Sequence, residues 1–305
     1  QVQKLAAALD PYLIEKRRFF HAYPELSGKE VNTTAAIAEE LDAIGVEYAY
    51  LPDFEPGPAP INFEENPELE HMKQASIQVL NNSETTIKPF SGLIVTIKGE
   101  ASDAYDEQGR PRHRIALRSD IDALPIVEQT NAPYASRSDG VMHACGHDCH
   151  IAMMLGAIRI LHELRANLRG EVRVLFQPAE EISIGSRRMI SAGALDGVES
   201  IYGAHIWSEV EAGTVSIDSG PRMANTDWFR VDVSGSSAHG AMPHKGVDAI
   251  VVGAAIIDAL QVVVSRDVSP FDPVVLTIGE FHGGVARNVM AGTSYLTGTV
   301  RSFDP

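Results

Sequence analysis

Cysteine is nearly absent. The 305 residues hold two, Cys145 and Cys149, four positions apart, which leaves no cysteine elsewhere for a structural disulfide and fits a reducing cytoplasm better than an export route. Basic residues are also short: 25 Lys and Arg stand against 41 Asp and Glu, a formal charge of −16. That balance argues against nucleic acid or an anionic membrane surface as a partner. No apolar run reads as long enough to span a membrane, and no charged-then-apolar signal segment opens the chain. The sequence starts at Gln1 without methionine, which leaves a removed leader open. What is present, 44% hydrophobic and 22% charged residues, is the composition of a globular protein, and the length exceeds what one core usually organises. Two domains are expected, 1–219 and 220–305, with Gly220-Pro221 as the hinge.

The chemistry concentrates in Met142-His143-Ala144-Cys145-Gly146-His147-Asp148-Cys149-His150, which precedes an amphipathic run over 151–164 that reads as a helix. Thiolate and neutral imidazole are ligands that Zn²⁺ and its transition-series neighbours select, and Cys145 and His147 can reach one ion from a tight turn about Gly146. Any one of these residues alone reads more readily as a core or loop residue; the cluster reads as metal. A second region, Val172 to Phe176, looks like a buried strand that Pro178 stops, presenting Glu180 and Glu181 at its end. Adjacent carboxylates can divide the work, one on a metal and one as general base, although paired Glu residues are common in solvated loops. Downstream, His205 falls inside an apolar, strand-like run over 201–207, where a lone histidine is more often a core residue than a ligand.

Around these stretches the pattern alternates helices and strands. A helix is expected from Asp10 with Pro11 at its first position, and another over Asn32 to Ile44 closed by Gly45. Residues 51–90, rich in proline and glutamate, read as an irregular excursion with a short helix near Leu69 to Leu80, equally a cleft lining or a solvated decoration. Strands are expected at Gly92 to Gly99 and Arg114 to Arg118, the latter delivering Asp120 and Asp122 at its end, and at Gly213 to Asp218. Beyond Gly220, strands at Phe229 to Ser234, Val274 to Phe281 and Ser294 to Arg301 surround an apolar helix over Val247 to Val264, a βαββ order that suggests a helix on one face of an antiparallel sheet.

Four motifs in this order, Arg118-Ser119-Asp120-Ile121-Asp122-Ala123-Leu124-Pro125, His143-Ala144-Cys145-Gly146-His147-Asp148, Gln177-Pro178-Ala179-Glu180-Glu181 and Gly203-Ala204-His205, resemble the M20 metallopeptidase family. Within it they are similar to the aminoacylase, hippurate hydrolase, auxin-conjugate hydrolase and aminobenzoyl-glutamate hydrolase branch. The loop His21-Ala22-Tyr23-Pro24-Glu25-Leu26-Ser27 resembles a further signature of the family, with His21 and Glu25 in structural roles near the site.

The resemblance implies an α/β catalytic domain, a mixed sheet between helices, followed by a smaller α+β lid or dimerisation domain. It implies a two-metal site with Cys145, His147, Glu181 and His205 as ligands, Glu180 as general acid/base, and Asp122 orienting a ligand histidine. Asp148 and His150 either do similar orienting work or cap the following helix. His239 would reach the partner subunit's site in a homodimer or higher oligomer and stabilise an oxyanion, with Asn288 and Arg301 toward the substrate. The family continues beyond the part matched here with a histidine that completes the metal site, so the chain reads as truncated at its C-terminus with an incomplete lid. The implied activity is metal-dependent hydrolysis of the amide bond of an N-acyl or N-aroyl amino acid, a small-molecule substrate, in the cytoplasm. The cofactors would be two divalent ions, zinc favoured by Cys145 and manganese tolerated by the remaining ligands. Two other readings stay open: a hydrolytic deaminase of a small aromatic, amino acid-like substrate on the same metals, and an inactive metal-binding relative.

Overall fold

A computed structural model describes residues 1–51, 91–217 and 219–304. The chain divides into two compact units, Gln1–Ala212 and Gly213–Pro305, a boundary a few residues before the expected one at 219/220. The expected excursion over 51–90, with its short helix, lies outside the described residues apart from Leu51.

The first unit opens with helices α1 (Val2–Ala8), α2 (Asp10–Ala22) and α3 (Val31–Ile44). Pro11 sits in the first turn of α2, where its missing N–H costs nothing, and Gly45 closes α3 in the left-handed conformation at φ 81°. Strand β1 (Glu47–Tyr50) follows, then β2 (Leu93–Lys98), β3 (Arg114–Asp120), α4 (His147–Glu163), β4 (Glu171–Gln177), α5 (Gly185–Ser191) and β5 (Ser200–Gly203). The five strands form one mixed sheet in the order β1-β2-β4-β3-β5. β1, β2 and β4 pair antiparallel, whereas β4, β3 and β5 run parallel, so their carboxyl ends emerge together.

Strand period decides what is buried. Leu93, Val95 and Ile97 of β2 and Val172, Val174 and Phe176 of β4 turn to one face, where Phe20, Ile37, Leu41, Ile151, Leu155 and Ile158 of the helices meet them. Each such buried side chain contributes roughly 1.5–3 kcal/mol. The opposite face carries a smaller cluster of Leu51, Ala116, Leu175, Met189 and Ala194. At the helix surface a single carboxylate ties three helices: Glu40 of α3 accepts from Tyr12 at 2.7 Å and from Arg159 of α4 at 3.0 Å, and pairs with Lys16 of α2 at 2.7 Å.

The second unit comprises β6 (Asn225–Ser234), β7 (Ala238–His239), α6 (Ala249–Val262), β8 (Val274–Gly283), β9 (Val289–Met290) and β10 (Thr293–Ser302). Strands β6, β10 and β8 form an antiparallel sheet in that order, with α6 packed on it, as the βαββ pattern predicts. Asp248 caps α6, accepting from the N–H groups of Ile250 at 2.9 Å and Val251 at 3.3 Å.

Three expectations need correction. The helix after the cysteine–histidine cluster begins at His147 and not at Ile151, because the left-handed Gly146 starts it and brings His147, Asp148 and His150 into its first turn. Residues 214–217 carry no strand, and Val215 and Ile217 are exposed despite their alternation. The apolar run at α6 continues through a π-type turn, and Ala249–Asp267, 19 residues of mean hydropathy 1.8, meets the length and composition of a membrane span that no run was expected to reach. Length and composition are all that this similarity rests on: Ala249 and Gly253 are buried in the second unit, and α6 lies on its sheet.

Candidate metal centre

The three parallel strands deliver the site. β3 ends in Asp120 and leads to Asp122, β4 ends in Gln177 and leads to Glu180 and Glu181, and β5 ends two residues before His205. His205 is therefore not inside a strand as its apolar neighbours suggested. The ladder stops because side chains take over the backbone there: Ile206 N–H donates to His150 Nε2 at 2.9 Å, and His205 Nδ1 donates to the Ile206 carbonyl at 2.5 Å.

These bonds fix tautomers. A backbone N–H can only donate, so His150 Nε2 is an acceptor and its Nδ1 donates to Asp120 Oδ1 at 2.6 Å. His205 spends its Nδ1 proton on a carbonyl, which leaves the Nε2 lone pair facing Cys145 Sγ at 3.3 Å. His147 follows the same logic: Nδ1 donates to the Asp122 carbonyl at 2.9 Å and lies 3.2 Å from Asp122 Oδ1, freeing Nε2. That Nε2 is buried without a hydrogen-bond partner among the described residues, and so is Glu181 Oε1, 3.8 Å away. Orphaned buried acceptors are costly, and two aimed at one space beside a thiol are the donor set a transition-series cation takes. Cys145, His147 and His205 offer ligand atoms within 4.8 Å of one another, and so do His147, Glu180 and Glu181.

Gly146 makes the approach possible. Its φ of 88° is open to glycine, and a Cβ there would stand 3.1 Å from Ile206 Cδ1. Asp122 ties the other parts together, accepting from Ser27 Oγ at 2.7 Å and from the Glu181 N–H at 3.0 Å through Oδ2 while its Oδ1 faces His147. Arg118 donates to Asp120 at 2.6 Å and to Gln177 at 2.9 Å, and stands 3.9 Å from Glu180.

The electrostatics suit a cation. Burial works against a charged His147, but the hydrogen bonds to Asp122 and Cys145 and the charges of Asp120 and Asp122 outweigh it and push the imidazole up to about 11. Positive charge is therefore favoured at Nε2, as a proton that a bound cation would displace. Burial also raises Glu181 and Glu180, opposed by His147 in the first case and by Arg118 in the second. The Cys145 thiol is drawn down by its bond to His147, yet burial and Glu181 leave it raised. Asp120 is held down at about 2, because His150, His147 and Arg118 outweigh its burial. His143, the first histidine of the cluster, is buried with neither ring nitrogen hydrogen-bonded among the described residues, and burial pushes it down to about 4.

Asp148 does not cap α4. Its buried carboxylate accepts from His21 Nδ1 at 2.7 Å and pairs with Arg17 at 3.0 Å, fastening the metal-type loop to α2. Glu25 caps α3, accepting from Asn32 N–H at 3.2 Å and Thr33 N–H at 2.7 Å. In the second unit, His239 is exposed, and its Nδ1 accepts from Ala241 N–H at 3.1 Å, so Nε2 carries the proton. The Asn288 carbonyl accepts from Gly240 N–H at 2.9 Å, which places Asn288 beside His239, whereas Arg301 lies on β10 and donates to Thr226. Sequence reasoning passed over Glu30, whose carboxylate receives the Ala179 N–H at 2.7 Å, a contact across 149 positions that no local spacing announces.

The comparisons agree with this geometry. The chain is 40% identical over 298 residues to an N-acetyl-L-cysteine deacetylase of Bacillus subtilis, covering 98% of this chain and 61% of that protein. It is 37% identical to an N-acyl-L-amino acid amidohydrolase of Geobacillus stearothermophilus, covering the whole chain and 70% of the relative. A solved Bacillus subtilis structure, described as a dinuclear metal-binding peptidase from the M20 family, superposes with a TM-score of 0.69 at 34% identity over 98% of this chain and 65% of that one. The chain thus spans roughly two thirds of its relatives' length. Residues 116–295, which carry the site residues from Arg118 to Asn288, match peptidase family M20/M25/M40, and the chain belongs to that family.

Proposed function

We propose that this chain forms the metal-binding part of a hydrolase that cleaves the amide bond of an N-acyl amino acid, with Cys145, His147, Glu181 and His205 holding two divalent ions. The observation that carries this reading is the convergence of unpartnered His147 Nε2 and Glu181 Oε1 with the Cys145 and His205 pair at the ends of β3, β4 and β5. The relatives named for N-acyl amino acid hydrolysis support the substrate class. Bound there, divalent ions supply a water of lowered pKa and polarise a carbonyl. Zinc is the favoured metal because of the thiolate, with manganese the alternative.

The side chains supply the remaining steps. Glu180, raised by burial and partly exposed beside Arg118, takes the proton of the attacking water and returns it to the departing amine. Asp122 holds His147 and the Glu181 backbone, fixing the geometry of both. His239, with its proton on Nε2, donates to the oxyanion from a second subunit, and Asn288 and Arg301 contact the substrate. The protein works as a homodimer or higher oligomer in the cytoplasm.

Hydrolysis of a panel of N-acyl amino acids, with the products identified, tests the reading. Free carboxylic acid and amino acid in equal amounts, abolished by Glu180→Ala with bound metal retained, is the expected outcome. Ammonia release without a carboxylic acid would replace amide hydrolysis with deamination, and full turnover by Glu180→Ala would remove Glu180 from the mechanism.

A further inference from the structure

The turn that presents Glu180 is built on an unfavourable backbone. Ala179 has φ 50° and Ser183 φ 57°, the left-handed region that residues bearing a side chain rarely occupy. Such a conformation persists only where the surroundings hold it. Ala179 is buried, and its carbonyl receives the N–H groups of Ile184 at 3.2 Å and Gly185 at 3.1 Å.

Its N–H goes to Glu30, a fully buried carboxylate whose Oε1 accepts from Ala179 at 2.7 Å and from Gly28 at 2.8 Å. Glu30 occupies the N-cap position of α3 but makes no side-chain cap bond, since Glu25 serves the N–H groups of that helix. The burial of Glu30 therefore brings α3 no cap. Its oxygen is spent on an amide 149 positions away, next to the residue that acts as base. On the other side of that residue, the Glu181 N–H is held by Asp122. The backbone N–H groups of the residues just before and just after Glu180 are thus each held by a buried carboxylate, while the Glu180 side chain is 37% exposed.

We propose that Glu30 is a positioning residue for Glu180: it holds the Ala179 peptide in its left-handed turn and so sets where the base stands. This rests on the assignment of Glu180 above. A second carboxylate acting through the backbone accounts for a Glu at this N-cap, where Ser or Asp is the usual choice, since a shorter arm would hold the Ala179 N–H less closely.

The test compares Glu30→Gln, Glu30→Leu and Glu30→Leu combined with Ala179→Gly, reading kcat, KM and metal equivalents on an N-acetyl amino acid. Glu30→Gln keeps an accepting oxygen and is expected to keep most of the activity. Glu30→Leu is expected to lower kcat about a hundredfold, with KM and metal content unchanged, as a misplaced catalytic group does. Adding Ala179→Gly should restore at least about tenfold, because glycine takes this φ without support. If Glu30→Leu does not fold, Glu30→Asp withdraws the oxygen by one methylene and should show a smaller loss of kcat with the same rescue. Wild-type kcat in a folded Glu30→Leu or Glu30→Asp variant overturns the proposal, and so does a loss that Ala179→Gly leaves untouched. Glu180→Ala, measured alongside, separates the two readings: if it is inactive while Glu30→Leu is fully active, only the positioning role fails, and if it still hydrolyses substrate, the assignment of the base fails.

Discussion

The two units differ in how their candidate functional residues are held. In the first, His147 and the Asp120, Asp122, His150 and Asp148 around it are buried, each oriented by a hydrogen bond to a residue from another element. The other proposed ligands, half-buried Cys145 and Glu181 and exposed His205, stand at the edge of that network. In the second, His239 and Arg301 are exposed and held by near neighbours on their own sheet or loop. A metal centre needs ligand atoms placed to within fractions of an ångström before the ion arrives, and buried networks with fixed tautomers provide that. A group that meets substrate, or reaches another subunit, gains from staying at the surface. Under the proposed roles, the difference separates a part that binds metal from a part that recognises substrate.

The comparison can be broken most sharply at His239. His239→Ala is expected to lower kcat by about 10²–10³, the usual loss of one oxyanion donor, while elemental analysis finds the same metal content. A parallel loss of metal would mean that the two units are not independent in this way. Next in size is Asp122→Ala, which frees both His147 and the Glu181 amide. Metal affinity, read by competition with a chelator, is expected to fall about 10–100-fold, and an unchanged affinity would show that burial alone orders the ligands.

The smallest effect lies outside the site, in the network that ties α2, α3 and α4. Burial raises Glu40, but its bonds to Lys16, Tyr12 and Arg159 outweigh that and lower its pKa in the folded protein. A lowered carboxylate stabilises the fold above its unfolded value of about 4.3, and the contribution is lost as pH falls through the folded value. Glu40→Gln should therefore cost about 1–2 kcal/mol at pH 7, and denaturant unfolding of wild type and variant should converge as the pH falls below the lowered folded value of this carboxylate. A difference that persists in acid would assign the effect to packing.

Much of this was legible in the sequence because it is local. Helical and strand periods mark α2, α3, β2, β4, β6, β8 and β10, and two cysteines with three histidines in nine residues mark a metal-type loop. His205 was legible as a candidate ligand only through its family motif. The apolar run around it read as a strand, whereas Ile206 gives its backbone to two histidine side chains. Contacts that couple distant positions had no periodic signal: Asp148 with His21, Asp122 with Ser27, and Glu30 with Ala179 each join segments about a hundred residues or more apart. The strand expected over 213–218 failed because alternation reports a face only where another strand or core receives it, and Val215 and Ile217 are exposed.

Metal content is the most direct test of the central claim. Elemental analysis of the purified protein after exposure to excess zinc and removal of the free ion should give two equivalents, with fewer in Cys145→Ser and in His205→Ala. No retained metal, or the same content in wild type and both variants, would contradict the assignment of these side chains as ligands.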